Sequence, residues 1–546
     1  MKNIYIVLIV FAAIVFASCE KNVLDKGPLD VVDQSTIWSD PSVAQLYVND
    51  LYRTITGHHY WDKDRWNAWD NYDNLSDLTE GGHSWLSCYT FNYGQLTAEY
   101  NPYGEDWTTY YARIRSANIM LDNADQLKGD ENLIKTIKGE AIFLRAYFYF
   151  KLVRNFGGVP LIIHAQNLTD SLSVSRNSYD ECAKFIVDEM DKAADLLPLS
   201  WNSANVGRAT KGAALAVKGQ ILLDAASTYN NPSNDRAKWQ KAADANKAVI
   251  DLNVYSLYPN YAKLFLDDNN PEVIFDMQFA YPYLITGSVE EIVGSNFELE
   301  PQSVTWGMVR PTQDYIDMFE MTNGKAITDP GAGYDPQNPY VNRDPRFYAS
   351  IYYNGSSNRG NTVETFVNGK NGPGLYDEFG TSSYMTGYYC RKLVDESIPA
   401  AYLVDEIKAN WILIRYAQIL LNFAETEIEL GNEQEALTYI NIVRDRVGMP
   451  PTQASGADLV KLYRNERAVE LGMEGERYFD IRRWKIAEGL LNGPLHKMMI
   501  TKNDDGTFSY DVQKMAPRSF PSRMYLWPIP IDEIHKNKNL VQNPGY

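Results

Sequence analysis

The chain has 546 residues and carries 70 acidic against 51 basic side chains, a net charge of −19. That charge argues against nucleic acid as a partner, because phosphates need a basic surface. It also argues against binding to anionic lipids through a polybasic segment. The apolar share of 45% is typical of a folded globular protein, while aromatic residues reach 13%, with 38 Tyr and 12 Trp that offer flat apolar faces with a polar handle.

The first 18 residues have the pattern of an export signal. A basic start is followed by an apolar run over 4–16 that is too short to span a bilayer. Small residues then precede Cys19, an arrangement that resembles a bacterial lipobox, although Phe16 stands where Leu is usual. We predict a signal peptide over 1–18, an acylated Cys19 and a tether over 19–38. An ordinary signal peptide with an incidental cysteine is the alternative.

Helical periodicity occurs in two parts of the chain. A first helix is expected to begin at Asp40 and Pro41, a capping residue followed by proline in the first turn. Residues 139–156 are apolar on nearly every face, so the helix that they form must be enclosed by other elements. Short links, such as 128–130, predict antiparallel pairs. The predicted helices after the first lie at 107–127, 134–156, 178–197, 209–227, 234–252, 411–430, 435–447 and 458–471.

Two long segments lack this periodicity. Residues 57–103 and 255–408 are rich in Gly, Asn, Asp and aromatic side chains. Because binding residues concentrate in loops on a rigid scaffold, we assign ligand binding mainly to these segments and the helical scaffold mainly to 104–252 and 409–490. Short β-like runs in the second segment predict strands at 272–279, 347–353 and 384–393.

Four well-separated segments carry a resemblance to a known family. They are GEAIFLRAYFYFKLVRNFGGVPL, ILIRYAQILLNFAETEIELG, NERAVELGMEGERYFDIRRW and LWPIPIDEIHKNKNLVQNPGY. Each resembles a segment of the SusD/RagB family of outer-membrane nutrient-binding lipoproteins, in the same order, with Phe423 where Tyr is usual. The resemblance implies a mainly α, SusD-like fold of four tetratricopeptide-like helix pairs packed against a loop-rich region with small β elements. It also implies a single domain over 39–546, although the sequence shows no clean repeat of about 34 residues.

The same resemblance implies a function. It is that of a cell-surface lipoprotein that binds a glycan and delivers it to a SusC-like TonB-dependent outer-membrane transporter for nutrient uptake. The protein would be anchored in the outer membrane through lipid on Cys19 and face the cell exterior. One alternative is capture of peptides or another nutrient, as in RagB-like members. Another is an assembly protein that docks the transporter without a ligand site of its own. No cofactor is expected.

Aromatic residues in the two irregular segments are the candidates for the ligand site. A tryptophan on a periodic helix, such as Trp107, Trp239 or Trp484, is expected in the core. An exposed indole or phenol in a loop instead offers a face on which a pyranose ring can stack, while neighbouring polar groups bond its hydroxyls. The resemblance implies a glycan site built from these same two segments. The predicted ligand-binding residues are Trp85, Tyr89, Trp306, Asp77 and Tyr283.

Enzyme chemistry has no support in the motifs. The chain contains no HExxH, GxSxG or GxxxxGK[ST] pattern, and its six histidines form no helical i, i+4 pair. The 70 acidic residues include no favoured pair for glycoside hydrolysis. The acidic stretch 62–73 faintly resembles a calcium loop, but Asn67 replaces the turn glycine and Asp73 the final glutamate, so a solvated loop is preferred. We expect neither a metal site nor catalysis.

Two further expectations concern charge and sulfur. The interleaved charged and apolar residues of 466–483 predict an ion-pair network that locks the last helix pair, because unpaired buried charges are costly. Cys88, Cys182 and Cys390 are widely spaced, so either one disulfide with a free thiol or three buried thiols is possible.

Overall fold

The computed structural model describes residues 37–55, 72–279, 307–374, 381–398 and 410–546, and the α-helix is the main regular element in them. The helices are α1 Pro41–Tyr52, α2 Cys88–Asn92, α3 Glu105–Asn123, α4 Glu131–Phe156, α5 Tyr179–Leu196, α6 Lys211–Ala226, α7 Arg236–Ile250, α8 Gln313–Met318, α9 Pro345–Ser350, α10 Tyr416–Glu429, α11 Glu433–Asp445, α12 Gly456–Leu471, α13 Arg477–Arg483, α14 Ala487–Leu491 and α15 Ile531–Lys536. The strands are β1 Thr79–Gly81, β2 Val273–Met277, β3 Val309–Pro311, β4 Ile351–Tyr352, β5 Ser357–Asn358, β6 Asn361–Thr362, β7 Tyr389–Cys390, β8 Trp411–Arg415, β9 Gly493–Lys502 and β10 Phe508–Arg518.

Helix α4 forms the centre of the core. The carboxylate of Asp130 caps its first turn by accepting hydrogen bonds from two backbone N–H groups, and Gly157 ends it with a positive φ of 75°. Residues on all its faces are buried from Ile137 onward, because α1, α3, α5 and α6 pack around it. The enclosed helix that the sequence predicts is confirmed.

The longer helices pack in series. Helix α3 packs against α4, α4 against α5, α5 against α6, α6 against α7, and α7 against α10, which in turn contacts α11 and α12. These eight helices form the helical scaffold. Five antiparallel two-stranded sheets lie among them in the described residues: β1–β3, β2–β8, β4–β7, β5–β6 and β9–β10. The expected combination of a mainly helical fold with small β elements is confirmed.

Three local predictions are wrong. Residues 411–415 form strand β8, paired with β2, and the predicted helix begins only at Tyr416. A short apolar run fits either state by periodicity alone, and the distant partner strand decides. The run 347–353 belongs mostly to helix α9, because Asp344 caps it and proline occupies its first turn. Only Tyr389–Cys390 of the third predicted strand pairs, and the long β9–β10 hairpin is not anticipated by the sequence.

A buried ion-pair network links the last helices to the loop-rich part. The Arg415 guanidinium donates to Glu272 at 2.7 Å, to Glu470 at 2.6 Å and to Glu474 at 2.6 Å. Arg346 on α9 donates to Glu470 at 3.1 Å. The predicted network is confirmed, and it extends beyond the last helix pair to the segments around β2 and α9.

The core contains the helical tryptophans and the cysteines. Trp107, Trp239 and Trp484 are buried, as predicted. Cys88, Cys182 and Cys390 are buried and form no disulfide within the described residues, which selects three thiols over a disulfide. Burial raises the pKa of Cys182 to about 11 and that of Cys390 to about 12. Among the described residues, no helix combines the length and apolar character needed to cross a membrane.

Candidate functional site

Strands β1 and β3 bring the two irregular segments together. Strand β1 comes from the first segment and β3 from the second, and they pair antiparallel with Thr79 opposite Pro311 and Gly81 opposite Val309. The pairing continues past the strand, because the N–H of Gly82 donates to the Met308 carbonyl at 3.1 Å. The segments that the sequence singles out therefore lie side by side.

The contact beyond the two strands is too close for any side chain. A Cβ on Gly82 would lie 2.0 Å from the carbonyl oxygen of Gly307, so glycine is required at this position. Gly307 directly follows Trp306 in the chain. Trp306 and Tyr283 themselves lie outside the described residues, as do Cys19 and most of the calcium-like stretch 62–73, so these roles stay predictions.

Trp85 lies in the turn after β1. Its side chain is 43% exposed, and among the tryptophans in the described ranges it alone is exposed rather than buried or half-buried. The ring of the buried His83 lies 5.6 Å from that of Trp85, centroid to centroid, at an interplanar angle of 32°. This indole is therefore partly open to solvent, as a stacking residue must be.

Tyr89 is buried, which contradicts the expected exposed phenol. It lies on helix α2, is only 6% exposed, and its hydroxyl donates to the Gly81 carbonyl at 2.7 Å. Burial raises its pKa well above the usual value. The hydrogen bond closes the turn that carries Trp85 back onto β1, so Tyr89 supports the turn and presents no ring face to solvent.

Two half-buried tyrosines rest on Tyr89. Tyr93 stacks on it with ring centroids 5.5 Å apart, and Tyr384 lies against it at 5.0 Å with a 53° tilt. Burial, then the charge of Glu80, raises the pKa of both phenols. The sequence indicates the aromatic richness around Tyr93, but Tyr384 falls in a predicted strand, and no signal places it beside the first segment.

Asp77 is committed to an internal ion pair, so the structure does not support its predicted contact with ligand. It is 3% exposed, and its two carboxylate oxygens accept from Nε and Nη2 of Arg477 at 2.8 and 2.7 Å. Burial alone would raise the pKa of Asp77, but the Arg477 guanidinium holds it below the usual value. The sequence separation of 400 residues hides this pairing from sequence analysis.

Two buried arginines, Arg518 and Arg310, donate hydrogen bonds to β1 and to the residue two before β3. Nη2 of Arg518 donates to Glu80 at 2.6 Å and to the Thr79 carbonyl at 2.8 Å. On the other strand, Nε of Arg310 donates to the Gly307 carbonyl at 2.9 Å, and its guanidinium lies 5.7 Å from the centroid of the Tyr389 ring. Burial lowers the pKa of Arg310. The backbone on both sides of the Trp85 turn is therefore fixed by buried hydrogen bonds.

Two open clefts lie on the helical side, apart from this surface. One of about 590 Å³ lies between α5, α6 and α7, with an apolar floor that includes Leu215 and Leu222. The other, of about 360 Å³, lies between α3 and α15. Neither is lined by a predicted site residue. Within the described ranges, no group of three or more His, Cys, Asp or Glu side chains is placed to hold a metal ion.

The arrangement suits adsorption of a ring rather than bond cleavage. An exposed indole on a fixed turn can cover the C–H face of a sugar, and the half-buried phenols of Tyr93 and Tyr384 pack on Tyr89, which is bonded to the same turn. The acidic side chains nearest the turn in sequence, Asp77 and Glu80, are both paired with arginine and buried. They therefore cannot serve as the free acid and base that glycoside hydrolysis needs.

Comparisons with known proteins agree with this geometry. A family model described as the SusD family matches residues 271–546, and another, described as starch-binding associating with outer membrane, matches residues 29–223. SusD-like protein P2 of Formosa agariphila is 25% identical over 96% of each chain. A SusD-like protein of Bacteroides ovatus is 23% identical, over 88% of this chain and 82% of its own.

Solved structures give the same family. A SusD-like protein from Bacteroides fragilis is 30% identical with a TM-score of 0.78, covering 95% of this chain and 100% of its own. A SusD-like carbohydrate-binding protein from the same species is 28% identical with a TM-score of 0.77, covering 93% of this chain and 100% of its own. The chain therefore belongs to the SusD family, a family of binding proteins rather than enzymes.

Proposed function

We propose that the protein binds a glycan on the surface around Trp85 and delivers it to a SusC-like TonB-dependent outer-membrane transporter. The observation that carries the proposal is the exposed indole of Trp85, held on a turn beside the β1–β3 pair. The carbohydrate-binding description of a 28% identical structural relative supports the same class of ligand.

Trp306 and Tyr283 complete the binding surface in this proposal. Gly307, the next residue after Trp306, contacts Gly82, and Gly82 is three residues before Trp85. Two indoles on neighbouring backbone segments would stack on successive sugar rings of one chain. Because the described turn is already fixed by hydrogen bonds, little conformational entropy would be lost on binding.

The proposed location is the outer surface of the outer membrane. Cys19, by this proposal, carries the lipid that anchors the protein to the outer membrane, with the tether 19–38 leading to helix α1 on the cell exterior. The family description that associates related sequences with the outer membrane supports this location. For the transporter, the helical side offers the apolar cleft between α5, α6 and α7 as contact surface.

Capture of a peptide or another nutrient is the second candidate, since aromatic side chains also receive apolar peptide groups. Native gel electrophoresis in the presence of soluble polysaccharides separates the two ideas. The soluble protein without residues 1–19 would be run through gels containing starch, xylan, laminarin, mannan, pectin or alginate, with bovine serum albumin as the mobility reference. Retardation by at least one polysaccharide is expected. Unchanged mobility in all six gels, with binding of a peptide digest by calorimetry, would contradict glycan binding.

A further inference from the structure

Two arginines from the C-terminal part of the chain converge on one short segment next to the proposed ligand site. The segment is Ser76–Glu80, which leads through β1 to Trp85. Arg477 begins helix α13 and Arg518 ends strand β10. They lie about 400 residues away from the segment in sequence.

Four of the five residues in this segment accept hydrogen bonds from the two guanidinium groups. Arg477 takes both carboxylate oxygens of Asp77, at 2.8 and 2.7 Å. Arg518 bonds the Glu80 carboxylate at 2.6 Å, the Thr79 carbonyl at 2.8 Å and the Ser76 carbonyl. Planar forks of this kind fix direction as well as distance.

The same region is tied down at a third point. The N–H of Gly475, two residues before Arg477, donates to Oδ2 of Asp73 at 2.6 Å. All four side chains of the two ion pairs are buried, none more than 7% exposed. Buried ion pairs add little net stability compared with apolar packing of similar volume, and their distinctive effect is a defined geometry.

We infer that Arg477 and Arg518 are positioning residues for the ligand site: they hold Ser76–Glu80, and through it the turn of Trp85, in the orientation in which the indole faces outward. The inference rests on the glycan-binding role proposed for Trp85. Both arginines are buried, so they would act without contacting the ligand. Their effect is transmitted through β1, whose last residue, Gly81, is also bonded by the hydroxyl of Tyr89.

Fluorine NMR tests the inference without a ligand. Protein labelled with 5-fluorotryptophan gives one signal for each of its 12 tryptophans, and Trp85→Phe identifies the signal of Trp85. Arg477→Lys and Arg518→Lys keep the charge but lose the paired hydrogen bonds of the guanidinium group. Each is therefore expected to shift or broaden the Trp85 signal at temperatures well below the melting temperature. The double variant Asp77→Glu with Arg477→Lys restores the reach between the charges and is expected to return the signal towards its original position.

Arg145→Lys is the matched control. Arg145 is also buried and bonded to a carboxylate, Glu189, but its hydrogen bonds lie among α3, α5 and the residue Ile163. Its replacement is expected to lower the melting temperature and leave the Trp85 signal in place. A Trp85 signal unchanged in both arginine variants, or changed equally by Arg145→Lys, would overturn the inference, because either result leaves only a general structural role.

Hydrogen exchange of the unaltered protein gives a second check that needs no variant. The amide of Gly82, which donates to the Met308 carbonyl directly after β1, is expected to exchange as slowly as those of helix α4, and rapid exchange there would also overturn the inference. Affinity for whichever gel polysaccharide retards the protein should fall at least tenfold in Arg477→Lys. Unchanged affinity of Trp85→Ala would instead contradict the proposed function and leave the NMR result standing.

Discussion

Nε1 of Trp484 donates a hydrogen bond to Oε1 of Glu425 at 2.7 Å inside the protein, where Glu425 also pairs with Arg483. Trp85 differs from Trp484 because its indole is 43% exposed. Trp484 therefore stabilises the fold, whereas Trp85 is the tryptophan that a ligand could reach.

Replacing each tryptophan by alanine should therefore have opposite effects. A central binding anchor commonly contributes 2 kcal/mol or more, about thirtyfold in affinity, so Trp85→Ala should weaken glycan binding at least tenfold with a nearly unchanged melting temperature. Trp484→Ala should cost about 3–5 kcal/mol of stability. Calorimetric titration and thermal unfolding of both variants give the two quantities. A stable Trp85→Ala protein with full affinity would remove Trp85 from the site.

Trp306→Ala is expected to behave like Trp85→Ala. Its neighbour Gly307 contacts Gly82, so a ligand that covers one indole is expected to reach the other. If the two rings contact different sugar units, their contributions are independent, and the loss of affinity in the double variant should not exceed the product of the two single losses. A large fall in melting temperature for Trp306→Ala, with unchanged affinity of the folded fraction, would assign Trp306 to the core.

Membrane attachment should depend on Cys19. A small-residue pair followed by cysteine after an apolar run suits lipoprotein processing, so Cys19→Ala should release the protein from the membrane fraction. Fractionation of cells that express each form, with mass spectrometry of the mature N-terminus, measures this. Continued attachment of the variant with the same processed mass would show that the anchor is something else.

A transporter should accompany the protein out of the membrane. Tagged protein extracted from native outer membranes in mild detergent is expected to bring with it a large TonB-dependent barrel, identified by peptide mass fingerprinting. Alanine variants of Leu215 and Leu222 test whether the cleft between α5, α6 and α7 contributes. Recovery of the protein alone in several mild detergents would count against the proposed partner.

Asp73 should make stability depend on pH. Burial raises its pKa from 3.8 to about 7 in the folded protein. The folded state therefore binds a proton that the unfolded state has released between these values, so this stabilising contribution is complete below about pH 4 and is lost as the pH rises through 7. Relative to Asp73→Asn, the original protein should lose up to several kcal/mol of unfolding free energy from pH 4 to 8. Urea unfolding at both pH values measures it, with the exposed Asp335→Asn as control. A constant difference across the range would contradict the shift.

The sequence predicts the helical scaffold well because its signals are local. Helix α4 is recognisable from an apolar surface all round, and its end from two glycines and a proline. The stretch 411–415 is different, since its strand exists only by pairing with β2, about 140 residues earlier. Local pattern cannot supply a distant partner.

The candidate site divides in the same way. The aromatic loop that bears Trp85 is visible from composition, because a solvated linker has no need of such side chains. The roles of Asp77 and Tyr89 are set instead by Arg477 and by the Gly81 carbonyl. An acidic or aromatic residue in a loop looks the same in sequence whether it faces a ligand or supports the backbone beneath it.

The large sequence separation of Asp77 and Arg477 also determines when the surface around Trp85 can form during synthesis and folding. Loop closure over 400 residues is slow, and the partner arginine is made only after most of the chain has been synthesised. A chain interrupted before Arg477 would carry every aromatic side chain of the first segment, yet it would lack both arginines that hold Ser76–Glu80. The turn of Trp85 therefore acquires its final orientation only after the chain has been made as far as Arg518.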